Sequence, residues 1–240
     1  MDLDVVIVTH QSEAALPACL DALGPLTDRV IAVDNASRDA TRMLLARRAV
    51  RTLPLAVNSG FAAAANLGAR STRSRFLCFL NPDCVVGPEV FSAALAAMHG
   101  RDDACAVPRL LEGHRVVDGR QPGYSTRKLL CDTLHSNYGD NAVCRWLRRD
   151  ARFHDPTWWW PHGACLFLPR SFFQALGGFD DRFFLYMEDV DLGRRLAARG
   201  GRIVQLDGEV RHGGSAGSAI GRRRRLALLN RGRVRYAELH

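Results

Sequence analysis

The strongest constraint in this sequence is a repeated pattern: a short apolar run, a polar break, then a helix-like segment. VVIV at 5–8 is a continuous β-branched run, the signature of a strand buried on both faces. The pattern recurs through VIAVDNAS, TLPLAV and FLCFLNPD. Between these runs, THQSEAALPACLDAL, RDATRMLLARRA and NSGFAAAANLGARS read as helices that begin in polar turns. Pro17 is tolerated because it falls in a first turn, Asp39 is a candidate cap, and Pro88 opens a further helix, PEVFSAALAAM. Buried strands alternating with helices predict an α/β fold on a mostly parallel, doubly wound sheet.

Such sheets bind ligands beyond the carboxyl ends of their strands. Three predicted strand ends carry polar clusters: Thr9, His10 and Gln11; Asp34 and Asn35; Asn81 and Asp83. One such cluster says little, because loops are polar anyway. Three on one edge of a sheet point to a nucleotide cleft.

The second half has a different style. From about Leu110 to Thr157, Gly, Pro, Asn and Arg are scattered, and a hairpin with mobile loops is expected. Order resumes at WWWPHGACLFLPRSFFQALGGFDDRFF, a strand and a helix closed by Gly177 and Gly178. RIVQL and EVRH are expected as two further strands before a Gly/Ser loop.

Charge and cysteines narrow the class. The net charge is +8, and residues 222–240 hold seven arginines against one glutamate, so the rest is close to neutral. Lys128 is the sole lysine, and no G-K-[ST] phosphate loop exists. No apolar run approaches the roughly 20 residues of a membrane span, and the first residues lack the basic and apolar regions of a secretory signal. Seven cysteines without a C-x-x-C pair, several inside apolar runs, read as reduced buried thiols in a cytosolic protein.

Taken in order, VVIVTHQS, VDNASRD, NSGFAAAANLGA, FLNPD, GACLFLPRSFFQALGGFDDRFFLYMEDVDLGRRLAARG and VRHGGSAGS resemble the motifs of inverting family 2 glycosyltransferases of the GT-A fold. The rhamnosyltransferase-like branch of bacterial polysaccharide assembly is the most similar. The resemblance implies one GT-A domain over 1–240: a nucleotide-sugar-binding half (1–110), an acceptor-binding and catalytic half (111–221), and a basic tail (222–240). It implies a dTDP- or UDP-sugar donor, a glycan or lipid-linked glycan acceptor, and Mg2+ or Mn2+ as cofactor.

The resemblance also assigns residues. Asn81-Pro82-Asp83 stands where the family usually carries D-x-D, so Asp83 is the implied metal ligand, and Asn81 touches the ribose or binds through water. Taken alone, Asn-Pro-Asp is a turn. His212 reaches the metal or diphosphate, and the loop from Gly213 to Ser218 closes over bound donor. Asp34 contacts the base or ribose, with Thr9 and Gln11 lining the same pocket. Asn58, Gly60 and Asn66 shape its floor, and Gly163 and Ala164 lie near the transferred sugar. Trp158, Trp159 and Trp160 offer aromatic faces to a sugar or lipid, with at least one turned into the core because strand neighbours alternate.

The densest signal is FFLYMEDVDL, where an aromatic run leads straight into Glu188, Asp189 and Asp191. Acids in a first helical turn gain about 0.3–1 kcal/mol each from the helix dipole. That accounts for the acids and leaves the aromatic wall unexplained. A general base benefits from a partly desolvated carboxylate. The resemblance makes Asp189 that base, Glu188 a group orienting the acceptor, and Asp191 a structural partner of Arg194 or Arg195.

The expected reaction moves rhamnose from dTDP-rhamnose onto a glycan hydroxyl, with Phe183, Phe184, Leu185, Tyr186 and Met187 burying the C6 methyl. The rivals are a UDP-hexose or UDP-N-acetylhexosamine transferase and a non-catalytic nucleotide-sugar-binding protein. Arginines alternating with leucines in the tail fit an anionic membrane surface. A cytoplasmic protein, peripheral on the inner membrane, is expected, with no nucleic-acid partner. Nothing in the sequence sets the oligomeric state.

Overall fold

Alternation along the central strands sorts the core into two faces. In β1 (Leu3–Thr9), Leu3, Val5 and Ile7 enter one cluster and Val6 the other. The computed structural model, which describes residues 2–213 and 221–240, repeats this sorting along the sheet. In β4 (Phe76–Leu80), Phe76, Cys78 and Leu80 face the first cluster, while Leu77 and Phe79 face the second. Both faces are therefore buried, which is why these runs look continuously apolar in sequence.

The remaining strands are β2 (Val30–Asp34), β3 (Arg51–Pro54), β5 (Cys84–Val85), β6 (Ala104–Glu112), β7 (Arg115–Val117), β8 (Arg120–Tyr124), β9 (His154–Pro161), β10 (Cys165–Pro169) and β11 (Arg202–His212). The helices are α1 (Leu16–Leu23), α2 (Thr41–Arg47), α3 (Phe61–Arg70), α4 (Pro88–Met98), α5 (Thr126–Tyr138), α6 (Ala142–Arg148), α7 (Arg170–Ala175), α8 (Glu188–Ala198) and α9 (Arg222–Leu239). The main sheet runs β3-β2-β1-β4-β10-β6-β11-β5, with β7 beside β6. Its first four strands are parallel, as is the β6–β11 pair, and β10 runs antiparallel between β4 and β6. β8 and β9 form a separate antiparallel pair.

Three expectations change. The stretch from Leu110 to Thr157 is not mostly loop: it ends β6 and holds β7, β8, α5 and α6. The caps were visible, since Ser125 Oγ accepts from Lys128 N–H and Asn141 Oδ1 from Cys144 N–H. The apolar periodicity was weak, because only Cys131 of α5 is fully buried. RIVQL and EVRH are one strand, β11, bulged between Gln205 and Glu209 rather than broken at Asp207-Gly208. The tail is a docked helix, not a free amphipathic one. Gly232, Arg233 and Tyr236 of α9 are buried, and Tyr236 packs with Trp158, Phe183, Met187 and Val190. Among the described residues, no helix is long and apolar enough to cross a membrane.

Candidate active site

The site begins with strand ends that cannot continue as strand. β1 ends at Thr9 and β2 at Asp34, and two residues on Gln11 and Ala36 adopt left-handed φ of 53° and 61°. These turns are tied together. Thr9 Oγ1 donates to Asp34 Oδ1 at 3.2 Å, while Ser37 N–H and Arg42 Nε donate to Asp34 Oδ2. Gln11 Oε1 accepts from Arg38 and Asp39 N–H. Asp39, read as a cap, accepts from Thr41 N–H through Oδ1 and from Glu13 N–H through Oδ2.

Two cavities open above these turns. One, of about 470 Å3, is lined among others by Gln11, Asn81, Asp83, Gly163, Asp189 and His212. The other, of about 840 Å3, is lined by Gln11, Arg38, Arg42, Leu55, Asn58 and Arg224. Gln11, Asn58 and His10 line both. Gly60 and Ala164 line the first, so most of the sequence-derived site converges there.

Thr9, Asp34 and Asn66 do not line either cavity. Thr9 and Asp34 are fully buried, with their side chains turned on each other and on Arg42. Asn66 spans two distant segments, accepting from Phe179 N–H and donating to Phe179 C=O. All three are supports for the cavity rather than its surface. Phe183 likewise leaves the expected aromatic wall for the core, and Phe184, Leu185, Tyr186 and Met187 form that wall. Of the three tryptophans, Trp160 lines the cavity, Trp158 is buried, and Trp159 lies under the Arg120 guanidinium.

Strand register builds the cation-binding corner. Antiparallel pairing of β5 with β11 sets His212 opposite Cys84, next to Asp83. Gly213 N–H donates to Asp83 C=O at 3.0 Å, which ties the two segments. His212 Nε2 then lies 3.6 Å from Asp83 Oδ1, and Nδ1 lies 2.9 Å from Glu112 Oε1. Asp83, Cys84 and His212 bring ligand atoms within 4.8 Å of one another. Cys84 is the poor member. Its thiol is buried, donates to Ala164 C=O at 3.3 Å, and has its pKa raised by that burial. One carboxylate and one imidazole, backed by a second carboxylate on the imidazole, fit a divalent cation such as Mn2+ or Mg2+. Burial raises the Asp83 pKa, opposed by the His212 charge. The loop expected to close over the donor lies, beyond Gly213, outside the described residues.

Across the cavity, α8 opens with Glu188 and Asp189. Tyr186 and Met187 before it both have left-handed φ, 71° and 74°. Such conformations are costly for residues with a Cβ and need outside support. Phe61 N–H donates to Phe184 C=O at 2.7 Å, and a Cβ on Gly232 of α9 would lie 2.7 Å from Tyr186 C=O. The segment is thus clamped between α3 and α9. Gly60 has φ 85°, and a Cβ there would lie 2.4 Å from Phe184 C=O, so only glycine fits.

Asp189 is held from both sides. Gly163 N–H donates to Oδ2 at 3.0 Å and Val190 N–H to Oδ1 at 2.9 Å. Burial raises its pKa, opposed by His162 and these amides. Glu188 is held less completely: it is buried, its Oε2 has no hydrogen-bond partner, and burial plus the Asp189 charge push its pKa up to about 8 against backbone hydrogen bonds at Glu188 and Tyr186. Burial raises both acids, and Asp189, with two backbone N–H donors on its oxygens and His162 nearby, is the better supported of the two as the negatively charged member. Asp191 pairs with Arg195 at 2.6 Å, as a structural acid should.

Sequence reasoning gave no individual role to Glu112 or His162, placed Asn35 only within a strand-end cluster, and read Arg225 only as part of the basic tail. Asn35 holds the 58–60 loop, accepting from Ser59 N–H and donating to Gly60 C=O. His162 Nδ1 accepts from Ala164 N–H, which leaves the proton of its neutral ring on Nε2. Asn35 and the PHG triplet holding His162 were visible at predicted strand ends. Glu112 carried no local signal.

A mostly parallel sheet with both faces covered and cavities at its strand ends is the architecture of the GT-A glycosyltransferases. The sequence profile of Glycosyl transferase family 2 matches residues 4–191, and the chain belongs to that family and is a glycosyltransferase. It is similar to the N-acetylglucosaminyl-diphospho-decaprenol L-rhamnosyltransferase of Mycobacterium tuberculosis (strain ATCC 25618 / H37Rv). The two are 32% identical over 231 residues, covering 88% of this chain and 75% of that protein. In fold it matches GalNAc-T7 solved with UDP, GalNAc and Mn2+, at TM-score 0.64 and 16% identity, over 88% of this chain and 42% of that one. The mannosyltransferase PcManGT of Pyrobaculum calidifontis, solved with GDP-Man and Mn2+, matches at TM-score 0.60 and 15% identity, over 88% and 56%. The chain thus spans about half the length of these two solved proteins.

Proposed function

We propose that this glycosyltransferase moves rhamnose from dTDP-rhamnose onto a sugar hydroxyl of a lipid-linked diphosphate acceptor, with inversion in one displacement. The carrying observation is the placement of Asp189. Two backbone N–H groups fix its carboxylate on the same cavity as the Asp83–His212 corner. Asp189 takes the proton of the acceptor hydroxyl as its oxygen attacks C1 from the face opposite the diphosphate. Asp83 and His212 would hold a divalent cation, which when bound would supply charge neutralisation for the leaving diphosphate. The base and ribose occupy the neighbouring recess beside Gln11, Arg38 and Asn58, over the buried Asp34 support.

The rhamnosyl assignment rests on the mycobacterial relative and on the wall from Phe184 to Met187, which accepts a methyl without leaving a hydroxyl unpaired. An apolar wall rejects an added hydroxyl only about 10²-fold, so UDP-sugars are the donors to compete against. Exposed Arg222, Arg223, Arg231 and Arg235 on α9 support a peripheral contact with anionic membrane. The test compares protection against unfolding by dTDP-rhamnose, UDP-glucose and UDP-N-acetylglucosamine with Mn2+, followed by product analysis. Best protection by dTDP-rhamnose is expected. If a UDP-sugar protects best and is transferred, the donor assignment falls while the transferase stands.

A further inference from the structure

A third cavity, of about 700 Å3, lies on the far side of Tyr124 from the active site, and Tyr124 lines both. Arg127, Arg152, Arg194, His154 and Tyr236 also line it. Four buried side-chain atoms lack a hydrogen-bond partner among the described residues, and two belong to this wall, His154 Nδ1 and Tyr236 Oη. Tyr236 is only 4% exposed. Burial pushes its phenol up to about 12 against the pull of the Arg194 charge, so it is a protonated donor. Burial and the Lys128 charge lower the His154 pKa, leaving a neutral ring.

The charge of the wall is positive. Arg127 and Arg152 both reach Asp150, at 2.9 and 3.2 Å, so one carboxylate meets two guanidiniums. Asp155 is also on the wall, and it accepts from Thr157 N–H, Thr157 Oγ1 and Trp158 Nε1. Arg194 lies 5.5 Å over the Trp158 ring. Forked guanidiniums with a neutral hydroxyl donor suit a phosphate oxygen better than a single-atom anion.

Position selects which phosphate. The donor's diphosphate belongs at Asp83 and His212, on the other cavity. Arg194 follows Asp189 by five residues on α8, an advance of about 7.5 Å, and Tyr236 follows the active-site residue Leu229 by seven on α9, about 10 Å. An acceptor sugar with its hydroxyl at Asp189 would direct its anomeric end past Tyr124 to this wall. We propose that the Arg127–Arg152–Arg194–Tyr236 cavity is an anion subsite that holds the diphosphate joining the acceptor sugar to its lipid. The inference rests on the lipid-diphosphate acceptor read above.

The test uses the full chain and two acceptors, a short-chain prenyl-diphospho-N-acetylglucosamine and a neutral alkyl N-acetylglucosaminide. Wild type should show a lower KM for the diphosphate acceptor. Arg194→Gln, and separately the outward Arg152→Gln, should shrink that KM advantage about tenfold or more, the scale of one charge-assisted hydrogen bond. An unchanged advantage in both variants overturns the subsite while leaving the transfer reading intact. If neither acceptor is used, the acceptor reading fails, and titration with inorganic pyrophosphate in chelator judges the cavity alone. Binding that Arg194→Gln or Tyr236→Phe weakens supports an anion site; no binding overturns it. Phosphatidylglycerol vesicles separate the remaining source. Loss of vesicle binding in Arg194→Gln with the KM advantage intact would assign the wall to a lipid headgroup and overturn the proposal.

Discussion

Thr9, Asp34 and Asn35 at the strand ends and Thr41 at the start of α2 are as buried as Glu188 and Tyr236 on the opposite side, yet the two groups are bonded differently. Every one of the first four has side-chain partners: Thr9 and Asp34 bond each other, Asn35 holds Ser59 and Gly60, and Thr41 Oγ1 accepts from Ser12 N–H at 2.8 Å. The unpartnered buried atoms of the described residues are His154 Nδ1, Glu188 Oε2, Arg233 Nε and Tyr236 Oη, all in the second half of the chain. An unsatisfied buried polar group costs about 1–3 kcal/mol. The strand-end side, where we propose the donor binds, is therefore internally satisfied. The opposite side, proposed for the acceptor, carries a cost that a bound ligand would offset, and it sits beside the left-handed Tyr186 and Met187.

The hardest blow to this contrast is also the largest effect. Asp189→Asn keeps the shape of a carboxylate held on both oxygens by backbone N–H groups, and removes its basicity. Turnover should drop about 10²–10⁴-fold with donor affinity retained. A variant keeping more than about a tenth of wild-type turnover would falsify the base assignment.

Next in size is Glu112→Gln, which leaves the donor-side network one charge short behind His212. Outer partners of metal-binding histidines are worth about 10–100-fold in metal affinity. Mn2+ titration by electron paramagnetic resonance should show that weakening, with donor affinity falling alongside. Equal Mn2+ affinity in both proteins would place the cation away from His212.

A matched pair tests the contrast directly. Thr41→Val strands the Ser12 N–H and should cost about 1–3 kcal/mol in denaturant unfolding. Tyr236→Phe removes a hydroxyl whose only partner among the described residues is a loose contact with Arg194, and should be neutral or mildly stabilising without ligand. If Tyr236→Phe costs as much as Thr41→Val, the two sides do not differ in the way described.

The same contrast governs what the sequence disclosed. On the donor side, strand periodicity and polar strand ends are local, so the sheet, Gln11, Asn58, Gly60 and Asp83 were legible before any coordinates. Asp34 and Thr9 were placed in the right turn but on the wrong surface, because a one-dimensional pattern does not say whether a buried polar group meets a ligand or a neighbour. The contacts that stayed hidden are remote in sequence, whichever side they serve: Glu112 meets His212 across 100 residues, and Asn66 meets Phe179 across 113. Helix α5 hid because it buries little, and α9 because its arginines mask a packing stripe of Gly232, Arg233 and Tyr236.

The smallest change in turnover is expected at Glu188→Gln, and its signature is pH dependence. Glu188 titrates near 8 in the fold against an ordinary 4.5. Between those values the folded chain keeps a proton that the unfolded chain has released. The folded state thus binds more protons, and stability falls as pH rises through that window. Gln cannot titrate, so its variant lacks this component of the slope; Asp189 and Asp83, also raised, keep theirs. Wild type and variant should match in unfolding midpoint near the acid end of the window and diverge towards the alkaline end, with Glu188→Gln the more stable. Turnover near neutrality should change little, because a protonated Glu and a Gln both present an acceptor carbonyl and at least one donor to the acceptor sugar. A constant stability difference across the window would mean that Glu188 is ionised in the fold, with a cation beside it. The acceptor side would then be as fully partnered as the strand ends.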